Sequence, residues 1–210
     1  MIELFASAFV TFFVVIDPPG CAPIYAGLSA GASAAQRRAM AVRAVVVAGL
    51  ILFGFALFGE ALLSGLGIEL ASFRIAGGIM LFLIALEMVF EKRTERREGR
   101  AEEINRRAAE HPLEPEDVSV FPMAIPMIAG PGSIATVMLV TSRNHGLALV
   151  VVLAALLTVL ALMLAALLAA GPIMRLMGDK LEAMITRVLG VLLAALAAQF
   201  VIDGLKASFA

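Results

Sequence analysis

The chain has 210 residues, of which 61% are hydrophobic and 16% are charged, a composition typical of integral membrane proteins. A soluble domain of this length could not bury so much apolar surface. The formal net charge of −1 argues against nucleic acid as a partner, and the single cysteine, Cys21, excludes an intrachain disulfide.

Six segments are long and apolar enough to cross a hydrocarbon core of about 30 Å as helices. The predicted spans are Ile2 to Ser29, Met40 to Leu66, Ser72 to Phe90, Val118 to Thr141, Leu147 to Leu168 and Met184 to Leu205. We therefore predict an all-α integral membrane protein whose partner is the lipid bilayer, with one membrane domain in total.

The second half of the chain repeats the first. "VVIDPPGCAPIY" is echoed by "PMIAGPGSIATV", which aligns Pro19 with Pro131, and "ELASFRIAGGIML" is echoed by "LEAMITRVLGVLL", which aligns Gly77 with Gly190. Since each copy holds three spans, the copies must cross the bilayer in opposite senses, as the inverted repeats of many transporters do. The predicted units are a first repeat over residues 1–90, a charged linker over 91–117 and an inverted second repeat over 118–210.

The basic residues predict the orientation. Thirteen of the sixteen lysines and arginines fall in, or in the first turn after, the connections between spans one and two, three and four, and five and six. The positive-inside rule assigns these connections to the cytoplasm, so both termini lie outside and the linker 91–117 is cytoplasmic. The mixed charges of the linker predict a solvated helix that tethers the repeats, with a regulatory or lipid-headgroup role as the alternative.

Spans one and four each contain a helix-breaking motif. In span one, Asp17-Pro18-Pro19-Gly20 predicts a helix that stops near Asp17 and restarts at Pro18 or Pro19. In span four, Gly130-Pro131-Gly132 predicts a similar break in the helix. Irregular backbone at membrane depth persists only where it is buried in protein or lines a cavity, and matching breaks in two repeats point to a binding site. The alternative is that both motifs are packing kinks.

Asp17 supports the binding interpretation, because an ionised group at this depth costs at least about 2.5–3.5 kcal/mol and a kink requires no carboxylate. It is suited to cap the restarted helix, to bind a substrate ammonium group, or to bind a coupling ion. Ala129 stands at the matching position, so the second break offers backbone N–H groups instead, which suit a carboxylate. The predicted substrate-binding residues are Asp17, Pro18, Pro19, Gly20, Cys21, Pro23, Gly130, Pro131, Gly132, Ser133 and Ile134, with the N–H groups of 132–134 unpaired.

Two further polar residues occupy near-equivalent places late in spans three and six. Glu87 is either a polar wall of the pathway, where it would serve coupling, or an interfacial residue. Gln199 is predicted to form a hydrogen bond between helices, with a pathway role as the alternative. No histidine or cysteine cluster has metal-ligand spacing.

The chain resembles the MarC family of bacterial inner-membrane proteins, also called the six-span neutral amino acid transporter family. The resemblance is carried by "FFVVIDPPGCAPIYAGLS" and "FPMAIPMIAGPGSIATVMLV" and extends over essentially the whole chain. It implies a multi-pass inner-membrane protein, with some relatives assigned to transport of glycine or alanine. One departure is Cys21, where family members often have asparagine, so the substrate or coupling of this chain is expected to differ if that residue contacts ligand.

The favoured function is a secondary carrier that moves a small neutral amino acid, such as glycine, alanine or serine, by alternating access. The chain has no phosphate-binding loop for ATP, and we expect no cofactor beyond a coupling proton or sodium ion. The alternatives are a channel, a membrane scaffold or stress protein, and an intramembrane enzyme. The enzyme is disfavoured because Asp17 alone would have to supply acid–base chemistry that usually needs two groups. The sequence leaves the oligomeric state open.

Overall fold

The computed structural model describes the backbone of residues 1–90 and 117–209 and, outside residues 173–183, their side chains. These residues are helical apart from short connections, and no strand occurs among them. The helices are α1 (Ile2–Ile16), α2 (Pro18–Leu28), α3 (Ala34–Gly65), α4 (Leu70–Val89), α5 (Pro131–Thr141), α6 (Leu147–Leu168) and α7 (Ala170–Ser208), and a proline segment (Ser119–Ile128) precedes α5.

Five segments of the described chain have the length and apolarity of membrane spans: Ile2–Leu28, Ala34–Gly65, Leu70–Val89, Leu147–Leu168 and Met184–Ser208. The proline segment and α5, which meet at an angle of 53°, form a sixth if they cross together. The part of the chain that the structure describes is therefore all-helical, with five or six candidate membrane spans.

Two boundaries differ from the predicted ones. Helix α3 begins at Ala34, six residues before Met40, because Ser33 and Gln36 form a reciprocal cap: Ser33 Oγ accepts the Gln36 N–H at 3.3 Å and Gln36 Oε1 accepts the Ser33 N–H at 2.9 Å. The arginines expected in the first loop thus lie on the opening turns of α3. Helix α7 begins at Ala170, directly after α6, where a charged loop was predicted. The predicted linker helix, apart from Asp117, lies outside the described residues.

Helices α4 and α7 pack together at glycines. A Cβ at Gly78 would lie 2.7 Å from Val201 Cγ2 and 2.9 Å from the carbonyl oxygen of Ala197. Distances this short show that only glycine allows the two backbones to approach so closely, as small residues commonly do between membrane helices.

The same contact recurs from the other side of this interface. A Cβ at Gly190 would lie 3.0 Å from Val89 Cγ2 and 3.1 Å from the carbonyl oxygen of Ala85. Gly190 stands 112 positions from Gly78, and Val89 and Ala85 stand 112 positions from Val201 and Ala197. The two proline–glycine motifs have the same spacing. The contacts therefore make Gly78 the equivalent of Gly190, one residue after the Gly77 of the sequence alignment.

The remaining helices enclose the two interrupted segments. Helix α1 packs on α6, α2 on α6 and α7, and α3 on the proline segment, α5 and α6. The main apolar core includes Phe12, Ile16, Leu52, Ile128 and Leu156, all 1% exposed or less. Arg43 of α3 also forms an exposed ion pair with Asp117, two residues before the proline segment.

Candidate functional site at two helix interruptions

The first interruption lies at Asp17, between α1 and α2. Asp17 adopts φ 58° and ψ 63°, in the left-handed region, which is uncommon for residues other than glycine but accessible to aspartate. Its N–H donates to the carbonyl oxygen of Phe13 at 2.9 Å, which completes the last turn of α1. The chain then starts α2 at Pro18, whose missing N–H costs nothing at a first helical position.

The Asp17 carboxyl group lies over the first turn of α2. Asp17 is 1% exposed, and its Oδ1 accepts the Gly20 N–H at 3.1 Å, so the side chain caps α2. A Cβ at Gly20 would lie 2.3 Å from Asp17 Oδ2. The aspartate and the glycine of this motif therefore depend on each other, since any side chain at position 20 would displace the carboxyl group.

The other predicted residues of the first break line the start of α2. Pro18 is buried, whereas Pro19 and Pro23 are half-buried. Cys21 is fully buried, with its Sγ 3.7 Å from the carbonyl oxygen of Ile16, the last residue of α1. Cys21 therefore packs across the interruption.

The second interruption is longer and involves the whole proline segment. Phe121 and Ile125 are extended, with φ near −125° and ψ near 125°, because each precedes a proline that disfavours the helical conformation. Gly130 follows, and a Cβ there would lie 2.4 Å from the carbonyl oxygen of Pro126. The backbone folds back on itself closely enough that only glycine fits at this position.

Helix α5 restarts with Gly130 as its N-cap. The Ile134 N–H donates to the Gly130 carbonyl oxygen at 3.0 Å, so the prediction that this N–H is unpaired is wrong. In a helix capped at residue 130, only the first three helical positions lack acceptors within the helix. Pro131 has no N–H, which leaves the N–H groups of Gly132 and Ser133 as the donors at this end.

The first turn of α5 packs beside the end of α1. A Cβ at Gly132 would lie 3.9 Å from Val15 Cγ1, two residues before Asp17, and 2.5 Å from Ile84 Cδ1 of α4. Ser133 is also buried, whereas Pro131 is exposed on the surface of the chain. The two interruptions are thus neighbours. Asp17 lies two residues after Val15, on one side of this contact, and Ser133 lies directly after Gly132, on the other side.

Glu87 and Gln199 do not share one environment. Glu87 is half-buried near the end of α4. Gln199 is exposed, and its Nε2 donates to Asp203 Oδ1 at 2.7 Å within α7, so the predicted hydrogen bond between helices is wrong. The cause is the spacing of four residues, which places the two side chains on one face of the helix.

A polar cluster that has no motif in the sequence lies near the end of α7. Arg143, which follows α5, pairs with Asp203 at 2.8 Å and stacks over the Phe200 ring at 5.4 Å from the guanidinium carbon to the ring centroid. Arg143 and Asp203 are 60 positions apart in the sequence, and their opposite charges are the only property that indicates the pairing. Among the described residues, no group of three histidine, cysteine, aspartate or glutamate side chains is placed to hold a metal ion.

Comparison with known proteins identifies relatives along the whole chain. Residues 2–209 match the family described as MarC family integral membrane protein. A UPF0056 membrane protein of Archaeoglobus fulgidus is 34% identical over 97% of this chain and 93% of the relative. YvbG of Bacillus subtilis is 32% identical over 100% and 97%, and YhcE of Escherichia coli is 29% identical over 96% and 91%. No solved structure matches the chain.

Proposed function

We propose that this chain, which belongs to the MarC family of integral membrane proteins, is a secondary carrier for a small neutral amino acid and not an enzyme. The observation that carries the proposal is Asp17: a carboxyl group 1% exposed, at an interruption of a membrane-length segment, beside the start of a second interrupted helix. Ionisable groups inside a membrane are costly and mark pathways for substrates, ions or protons.

The proposed architecture is a pair of inverted three-span repeats with broken helices in spans one and four. The glycine contacts between α4 and α7 support it, since each recurs after 112 positions. Helices α2 and α5, which follow the two breaks, also have the same length of 11 residues. In carriers of this type, the half-helices that meet near the bilayer midplane form the substrate site.

The proposed substrate is a zwitterion with a small side chain, such as glycine, alanine or serine. Its ammonium group is held by the Asp17 carboxylate, and its carboxylate accepts the N–H groups of Gly132 and Ser133 at the positive end of the α5 dipole. Close packing of Val15 and Ile84 around Gly132 favours a methyl or hydroxymethyl group over a leucine or phenylalanine side chain.

The proposed setting is the bacterial inner membrane, with both termini outside and the linker in the cytoplasm. The alternative role of Asp17 is to bind a coupling proton or sodium ion in place of the ammonium group. The Arg43–Asp117 pair lies on the predicted cytoplasmic side.

Counterflow in proteoliposomes tests the proposal. Vesicles loaded with L-alanine should accumulate external labelled L-alanine transiently and saturably, and external alaninamide should compete far less well because it lacks the carboxylate. Equal competition by alaninamide would contradict the binding pose. Absence of counterflow with glycine, alanine and serine, at two pH values and with and without sodium, would contradict the function.

A further inference from the structure

Two pockets open at opposite ends of α3. The first, the Glu60 pocket, has a volume of about 160 Å³ and lies between the end of α3, the end of α5 and the start of α6. The second, the Arg37 pocket, has a volume of about 430 Å³ and lies between the start of α3, the end of α2 and the end of α6. Glu60 and Arg37 are 23 residues apart on α3, or about 35 Å at 1.5 Å per residue.

The linings of the two pockets correspond under the 112-residue repeat. Residues in matching positions are Ser29 and Thr141, Ala26 and Met138, Arg37 and Leu149, Leu168 and Ala56, and Pro172 and Glu60, the first of each pair in the Arg37 pocket. Ser29 Oγ donates to the Tyr25 carbonyl oxygen at 2.7 Å, and Thr141 Oγ1 donates to the equivalent Val137 oxygen at 2.8 Å. The pockets therefore occupy matching positions under the repeat, and each is lined by residues of both halves.

Each pocket is joined to the candidate site by one half-helix. Helix α2 begins at the first interruption, and Ser29, directly after its end, lines the Arg37 pocket. Helix α5 begins at the second interruption and ends at Thr141 in the Glu60 pocket. Asp17 and Ser29 are about 18 Å apart along the helix axis at 1.5 Å per residue. Asp17, at 1% exposure, lines neither pocket.

We propose that the Glu60 and Arg37 pockets are the outer and inner mouths of one transport pathway and that they open alternately. This inference rests on the proposed carrier function. The two pockets, whose lining positions correspond under the repeat, are unequal here, 160 Å³ against 430 Å³. Exchange of the conformations of the two halves would exchange those sizes, and the structure corresponds to the state with the larger inner mouth.

Thiol labelling locates the mouths. Ala56→Cys in the Glu60 pocket and Ala26→Cys in the Arg37 pocket each add one atom at a half-buried position. A small, charged, membrane-impermeant thiol reagent should modify Ala56→Cys only from outside and Ala26→Cys only from inside. Wild type, whose only cysteine is fully buried, gives the background. Ala198→Cys, in a groove lined by apolar residues of α4 and α7, is the lipid-facing control and should stay unmodified.

Alternation is tested in the double variant Ala26→Cys/Ala56→Cys without any amino acid, so its outcome is independent of the substrate. A maleimide bulkier than 160 Å³, attached to Ala56→Cys from outside, holds the outer mouth wider than in this structure. The rate at which Ala26→Cys reacts from inside should then fall about tenfold, as the inward-open population is depleted.

An unchanged inner rate would overturn the proposal, as would reaction of either cysteine from the wrong side. If Ala56→Cys did not react with the small reagent, the outer mouth would not open. The same conclusion would follow if Ala56→Cys reacted with the small reagent but not with the bulky maleimide. Alternating labelling without counterflow of glycine, alanine or serine would instead reject the proposed substrate and leave the two mouths established.

Discussion

Replacing Asp17 by asparagine, glycine and alanine separates its three properties: the carboxylate charge, the cap on α2 and the left-handed backbone. In the wild type, the Gly20 nitrogen lies 3.1 Å from Asp17 Oδ1. Asparagine keeps a side-chain oxygen that can accept this N–H, and it tolerates a backbone φ of 58°. Glycine keeps only the backbone freedom, and alanine keeps none of the three. All three variants lose the charge.

The expected stabilities follow from these losses. Asp17→Asn should unfold close to wild type, and Asp17→Gly should lose a few tenths of a kcal/mol with the cap. Asp17→Ala should lose about 1 kcal/mol with the cap and a further 1–2 kcal/mol from the left-handed conformation. Apparent thermal unfolding midpoints of the purified variants should therefore follow the order asparagine, glycine, alanine.

Transport should not follow that order. If the carboxylate charge binds the ammonium group or the coupling ion, counterflow of L-alanine should fail in all three variants, including the stable Asp17→Asn. Glu69→Gln, which neutralises an exposed acid at the start of α4 that forms no capping hydrogen bond, is the matched control and should transport normally. Normal counterflow by Asp17→Asn at every pH would refute the charge-based role, whereas activity that declined only with stability would assign Asp17 to capping.

Three other predictions concern packing and topology. Gly78→Ala and Gly190→Ala should each destabilise the protein by about 1–3 kcal/mol, because the added Cβ meets backbone of the opposite helix, whereas Gly27→Ala, with no neighbour within 4 Å, should be neutral or stabilising in the same thermal assay. Gly130→Ala should destabilise more severely, since its Cβ would lie 2.4 Å from a backbone oxygen, and unaltered unfolding would contradict the fold at the second break. A reporter fused after Ala210 should report an external C-terminus, and a cytoplasmic signal there would reject the predicted orientation.

Sequence reasoning worked best where covalent geometry decides the outcome. The Asp17-Pro18 step predicts the end of one helix and the start of the next at the positions where α1 ends and α2 begins. It does not predict the left-handed conformation of Asp17, because the proline rule favours extended backbone. The observed conformation is stabilised by two hydrogen bonds that the proline rule does not include: the Gly20 N–H donates to the Asp17 side chain, and the Asp17 N–H donates to the Phe13 carbonyl oxygen.

Boundaries set by capping and charge were harder to predict. The Ser33-x-x-Gln36 cap that starts α3 was present in the sequence, but the arginines that follow it resemble a cytoplasmic loop. At α5, Ile134 is the fourth helical residue and its N–H reaches the carbonyl oxygen of the N-cap, Gly130, so only the N–H groups before it lack a partner within the helix. Pairings between distant positions, such as Arg143 with Asp203, depend on how the helices pack and have no local signal.

The two breaks are followed by half-helices of equal length but differ in the polar groups that they present, and that difference gives the proposed site a direction. At the first interruption α2 starts with the Asp17 carboxyl group at its cap, whereas at the equivalent place in the second half Ala129 is apolar and α5 offers the N–H groups of Gly132 and Ser133. Two identical breaks would present the same polarity to both ends of a ligand. An acid on one side and helix N–H donors on the other present opposite polarities, and a zwitterion bound between them has one favourable orientation. The presence of an acid at only one of the two breaks is therefore the feature that would allow the proposed site to orient an amino acid.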